Sequence, residues 1–182
     1  PNGDPADLAA EWGLDPAKPI VAVFPGSRRF EIELTLRFFL RVVELLRADE
    51  PDLQCVISLS AFGSPELLAS PGEDAIEGTA TTVAAAGEHW LVTTERGVQA
   101  IAVQGRPYDV MSVADMALTV PGSNTAEMAA TGLPMVVALP LNLAEKIPLP
   151  GAVHYVEKLP FFGRQLKRKV VHRQAEAMPF VA

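Results

Sequence analysis

Residues 19–31, PIVAVFPGSRRFE, decide how this chain folds. The six residues from Pro19 to Phe24 form a nearly unbroken apolar run with β-branched side chains. That is the pattern of a strand buried on both faces of a parallel sheet. The run breaks at Pro25-Gly26, offers a hydroxyl at Ser27 and guanidinium groups at Arg28 and Arg29, and then enters a helical pattern. A strand that ends in a glycine turn and feeds a helix presents unpaired N–H groups and the positive end of a helix dipole. Both favour an anion, typically a phosphate. The turn is neither a P-loop, G-x-x-x-x-G-K-[ST], nor a dinucleotide G-x-G-x-x-G. From these residues alone, a phosphate or diphosphate seat and a plain strand-to-helix connection are both open.

Working outward, residues 1–18 read as a linker with a short helix. Asp4-Pro5 starts it, Leu8 and Trp12 lie four apart on one face, and Gly13 stops it. Downstream, Ile32, Leu36, Phe39, Leu40, Val43 and Leu46 space an amphipathic helix over 30–47, ended by Glu50-Pro51. Residues 53–59 give a second strand, so strand–helix–strand makes a right-handed βαβ unit with parallel strands. Ser64-Pro65-Glu66 suggests a short helix, and the Ala- and Thr-rich residues 78–87 read as a mobile segment. Two strands, 89–94 and 98–103, surround Glu95-Arg96-Gly97 as a hairpin, placed to carry an edge strand. A short helix at 108–113 and a strand at 115–120 follow. A second glycine turn, Pro121-Gly122-Ser123-Asn124, opens a helix over 125–131, and residues 134–139 form another buried strand.

The 182 residues suit one α/β domain or half of a larger protein, and 49% hydrophobic with 20% charged residues fits a globular core. Pro1 is no natural start, so the sequence reads as part of a longer chain. No apolar run approaches the roughly 20 residues of a membrane-spanning helix. A single cysteine, Cys55, excludes an internal disulfide and a cysteine-rich metal site, and reads as a buried core residue. The net charge of −7 argues against general nucleic-acid binding. The charge is uneven, with six of the fifteen basic residues in the last 25 positions. The basic segment, 161–182, is either a solvated helical face or a contact for an anionic membrane surface.

Two strand–glycine-turn–helix units therefore recur, VAVFPGSR and ALTVPGSNTAE. In a parallel sheet both turns sit at carboxyl strand ends and line one rim, where open α/β folds bind ligands. Glu127, inside the second helix, faces a phosphate badly but accepts well from the two hydroxyls of a ribose. Phosphate at one turn and sugar near the other imply a nucleotide along the rim.

PGSRRFEIE followed by DMALTVPGSNTAEMAATGLPMVV resembles the C-terminal half of lipid-A-disaccharide synthases, over roughly residues 15–160. The resemblance implies a Rossmann-like parallel sheet flanked by helices, the donor domain (residues 19–160) of a GT-B glycosyltransferase. It implies a UDP-sugar donor, UDP-diacylglucosamine, and a lipid-linked glucosamine phosphate as acceptor. The catalytic base would lie on a domain outside this chain, and no metal or other cofactor would be required. Ser27 and Arg28, beside Gly26, would contact the donor diphosphate. Gly122, Ser123, Asn124 and Thr125 would form the donor loop, and Glu127 would hold the uridine ribose. The place implied is cytoplasmic, peripheral on the inner membrane face. This chain departs from the family pattern at Leu139-Pro140-Leu141, where a Tyr-Arg pair is usual, and at Leu159-Pro160-Phe161, where the family has Leu-Pro-Asn.

Plainer readings stand beside these. Ser27 could cap the helix after it, Arg28 and Arg29 could be a solvated helix start, and Glu127 a surface residue. Positive charge at a helix start opposes the dipole, which favours an anion partner there. Asp109 and Asp115 read as element-boundary residues, and His89, His154 and His172 share no motif. Alternatives to the synthase are another GT-B enzyme, such as a UDP-N-acetylglucosamine 2-epimerase or a transferase with a different acceptor, and a non-catalytic nucleotide-binding domain.

Overall fold

The computed structural model describes residues 3–69 and 79–138. Among these, seven strands form one sheet in the order β3-β4-β5-β2-β1-β6-β7. Five of them run parallel: β5 (Gln99–Gln104), β2 (Gln54–Leu59), β1 (Ile20–Phe24), β6 (Met116–Thr119) and β7 (Met135–Val137). β1 lies in their middle, and all five of its residues are buried, as its unbroken apolar run predicts. The fold is α/β and Rossmann-like.

Alternation along β1 divides the core. Ile20, Ala22 and Phe24 pack into a cluster with Leu8 and Trp12 of the N-terminal segment, Val110 and Met111 of α3 (Pro107–Val113), and Met128 of α4 (Ser123–Thr131). Val21 and Val23 turn to the other face, covered by α2 (Arg29–Asp49) through its buried Ile32, Leu36, Phe39, Leu40 and Val43. Leu46, expected on that apolar face, is exposed instead. The first helix, α1 (Pro5–Glu11), starts behind Asp4, whose Oδ1 accepts the Ala6 amide at 2.9 Å. It packs against α3 within the compact unit that ends at Val137.

Two expectations are corrected. Residues 81–86, expected to be mobile, form a strand, β3 (Thr81–Ala86), paired antiparallel with β4 (His89–Thr94) from Thr81↔Thr94 to Ala86↔His89. Small side chains hid it: alternating exposure exists, but Ala carries little hydrophobic contrast. The hairpin around Glu95-Arg96-Gly97 exists, yet neither of its strands is the edge. β5 joins the parallel core through β2, and β3 stands outside β4. The sheet is thus mixed. The expected helix start at Ser64-Pro65 becomes a 3-10 helix, Pro65–Ala69. Readings of residues 70–78 and 139–182, including the departures after residue 138, the basic segment, His154 and His172, lie outside the described residues.

What positions the site is the sheet order. From β1 the chain passes through α2 to β2 on one side, and from β6 through α4 to β7 on the other. Right-handed crossovers in opposite directions place the two helices on opposite faces. β1 and β6 are neighbours, so the crevice between their carboxyl ends is the switch point at which open α/β sheets bind ligands.

Candidate functional site

Phe24 at the end of β1 is paired with Thr119 at the end of β6. The two glycine turns leave from these residues, so they stand side by side on one rim, about one strand spacing apart where they start. Gly26, Ser27 and Arg28 belong to the first corner, residues 25–28. Gly122, Ser123, Asn124 and Thr125 belong to the second, residues 121–125, with Glu127 one turn into α4.

The first corner is closed by its own residues. Glu31 Oε2 accepts the Ser27 amide at 2.8 Å and the Arg28 amide at 3.0 Å. Its Oε1 takes the Arg28 guanidinium at 3.2 Å. Thr35, buried on α2, donates its hydroxyl to the Pro25 carbonyl at 2.6 Å and to Glu31 O at 3.0 Å. Gly26 has φ +109, and a Cβ there would sit 2.5 Å from Glu31 Cβ and 2.7 Å from its Oε2. Only glycine fits on both counts. The capping reading of Ser27 does not hold: Arg28 is the N-cap residue, and the carboxylate reaching back to it belongs to Glu31. The anion that the argument from Arg28 and Arg29 called for is supplied by the chain itself, since Arg29 Nε pairs with Glu33 at 2.7 Å. Arg28 remains largely exposed, with 72% of its side chain accessible.

The second corner is less closed: the Thr125 amide donates to Gly122 O at 3.2 Å, but no side chain caps the amides before it. α4 begins after Gly122 with no side-chain cap and no acidic residue in its first turn. Thr125 is buried and turned inward, its hydroxyl donating to Gly122 O at 2.6 Å, so it braces the turn. Ser123 is exposed, while Asn124 and Glu127 are half-buried. Gly122 is extended at φ 176, and a Cβ there would meet nothing closer than Val120 O at 4.0 Å. Chemically, a helix N-terminus without an internal anion accepts a phosphate. A carboxylate one turn further can take hydroxyl protons.

The remaining candidates have structural partners. Asp115 Oδ2 accepts the Ile20 amide at 2.8 Å and so fixes the start of β1. Buried Asp109 takes Arg106 Nε at 2.8 Å; the same guanidinium reaches Glu11 at 2.7 Å and lies 5.2 Å above the Trp12 ring. Cys55 is fully buried, and loss of solvation pushes its thiol up to about 12, which leaves it inert. Among the described residues no group of His, Cys, Asp and Glu could hold a metal ion. Two cavities, about 330 and 480 Å³, open at the amino ends of the strands, one beside Lys18, Asp52 and Gln54, the other beside Ala114 and Pro134. Both of these cavities lie away from the two corners.

The residue missed from sequence is Glu31. Its signal was present: an acidic residue three positions after the N-cap of a helix that follows a glycine turn.

A family model described as lipid-A-disaccharide synthetase matches residues 4–145. Similar proteins include lipid-A-disaccharide synthases of Geobacter sulfurreducens, 35% identical over 72% of this chain, and Geobacter metallireducens, 34% over 75%. Another is that of Burkholderia pseudomallei, 31% identical over 69%. The matches take in 29%, 30% and 27% of the respective relatives, so the chain spans under a third of their length.

Proposed function

The chain belongs to the lipid-A-disaccharide synthetase family, and on that premise we propose that it is the donor-binding half of a GT-B glycosyltransferase. The full-length protein transfers a sugar from UDP-diacylglucosamine to a lipid-linked glucosamine phosphate. The acceptor hydroxyl attacks the anomeric carbon with inversion, a base outside this chain takes its proton, and UDP leaves. Residues 19–160 form the nucleotide-sugar domain, residues 1–18 the linker with its helix, and 161–182 the basic segment.

The observation that carries this reading is the Phe24↔Thr119 pairing, which sets both glycine corners at the switch point. The second corner, Gly122 to Thr125, takes the diphosphate on the Ser123 and Asn124 amides, with Thr125 bracing the turn through Gly122 O. Ser27 and exposed Arg28 reach across from the first corner, and Glu127 accepts the ribose hydroxyls. Helix dipole and guanidinium offset the charge of the leaving UDP, so the reaction requires no metal. The protein works in the cytoplasm against the inner membrane face, held by its basic segment, and nucleic acid is not a partner. Among the described residues no helix is long and apolar enough to cross a membrane.

Calorimetry of UDP binding to the full-length protein tests this. Arg28→Ala and Glu127→Ala should each weaken binding by about tenfold or more, the worth of one hydrogen bond to a charged group. An unmodified protein that ignores UDP, or two variants that bind it normally, would contradict the proposal.

A further inference from the structure

At a helix N-terminus a phosphate is held by the first free amides and by any guanidinium beside them. At the first corner those groups are the Ser27 amide, the Arg28 amide and the Arg28 side chain. Glu31 holds all three, at 2.8, 3.0 and 3.2 Å. Its carboxyl is the chain's own substitute for a phosphate, with charge-assisted contacts to each group. The carboxylate is three-quarters buried, at 23% exposure, and Gly26 makes room for it. Thr35 pins the same turn from below through the Pro25 carbonyl. An incoming oxyanion would have to expel a carboxylate held by three hydrogen bonds, and would meet like charge while doing so. α4 has its own glutamate four positions beyond the serine, Glu127, but this helix starts at Ser123, so Glu127 lies past the first turn, which contains no acidic residue.

We propose that Glu31 is a specificity-determining positioning residue: it keeps phosphate off the first corner, so that a nucleoside diphosphate puts its phosphates on the second, and it holds Arg28 beside them. This deepens the donor-binding reading and rests on it for the nucleotide. The closure of the first corner to simple oxyanions stands on the geometry alone. Free phosphate is therefore rejected at the place where strand–turn–helix units ordinarily accept it.

The test titrates the full-length protein with inorganic phosphate and, separately, with UDP. Unmodified protein should leave the Ser27 and Arg28 amide resonances unmoved by phosphate. Glu31→Ala empties the seat and should raise phosphate affinity about tenfold or more, the worth of a charge-assisted hydrogen bond, with phosphate now competing against UDP. Glu31→Gln keeps an oxygen over the two amides, so it should stay closed to phosphate while weakening UDP through the released Arg28. A purely structural role would lower the melting temperature of both variants and create no phosphate site. Movement of the two amides when phosphate meets unmodified protein would overturn the proposal, and this measurement decides it even if Glu31→Ala fails to fold. A folded Glu31→Ala with no gain in phosphate binding would overturn it equally. Failure of unmodified protein to bind UDP would instead sink the donor-binding reading, and leave the phosphate arm to judge Glu31.

Discussion

The two glycine corners look alike in sequence, Pro-Gly-Ser-Arg against Pro-Gly-Ser-Asn, and leave paired strand ends, yet they are built in opposite ways. The first is held shut by Glu31 and Thr35 around a glycine at φ +109. The second has an extended glycine, an uncapped helix and one inward hydroxyl. A corner with its hydrogen bonds satisfied internally is a structural joint. A corner that leaves a helix start unsatisfied has kept capacity for a ligand. The same three letters therefore carry different chemistry, although a glutamate follows each serine by four positions. α2 starts at Arg29, which puts Glu31 in its first turn and over the corner, whereas α4 starts at Ser123, which carries Glu127 past its first turn.

The sharpest way to break this contrast is to place the same methyl at both glycines. Gly26→Ala forces a left-handed backbone on a side chain and drives its Cβ into Glu31, so it should cost about 3 kcal/mol of stability in denaturant melts. Thr35→Val is nearly isosteric but strips the Pro25 carbonyl of its buried donor, for about 1–2 kcal/mol. Gly122→Ala should change stability by less than about 0.5 kcal/mol, because its Cβ points into open space, while UDP binding weakens if a ligand occupies that space. Equal destabilisation at residues 26 and 122 would erase the distinction between joint and receptor.

How much of this was legible follows from contrast in the side chains. β1 and α2 declared themselves because Val, Ile, Leu and Phe stand against charged neighbours at periods of 2 and 3.6. β3 did not, since Thr-Thr-Val-Ala-Ala-Ala offers little polarity difference between its faces. The pairing that brings the corners together joins residues 24 and 119, and only the parallel arrangement of strands inferred from the first βαβ unit foretold a shared rim. One long-range polar cluster was beyond reach. Glu44, with 2% of its side chain exposed, takes the Thr79 hydroxyl at 2.7 Å and the guanidinium groups of Arg41 at 3.0 Å and Arg96 at 3.4 Å. Nothing in residues 35 and 52 positions away announces such a partner. The candidate site residues were named by motif, but that Thr125 braces its turn and Glu31 closes the first corner required the hydrogen bonds.

The most direct test of the account follows backbone amides while UDP is added to the full-length protein. The Ser123 and Asn124 resonances should shift with saturation, and those of Ser27 and Arg28 should move far less, because Glu31 still occupies their N–H groups. Large shifts at Ser27 and Arg28 with none at Ser123 and Asn124 would contradict it.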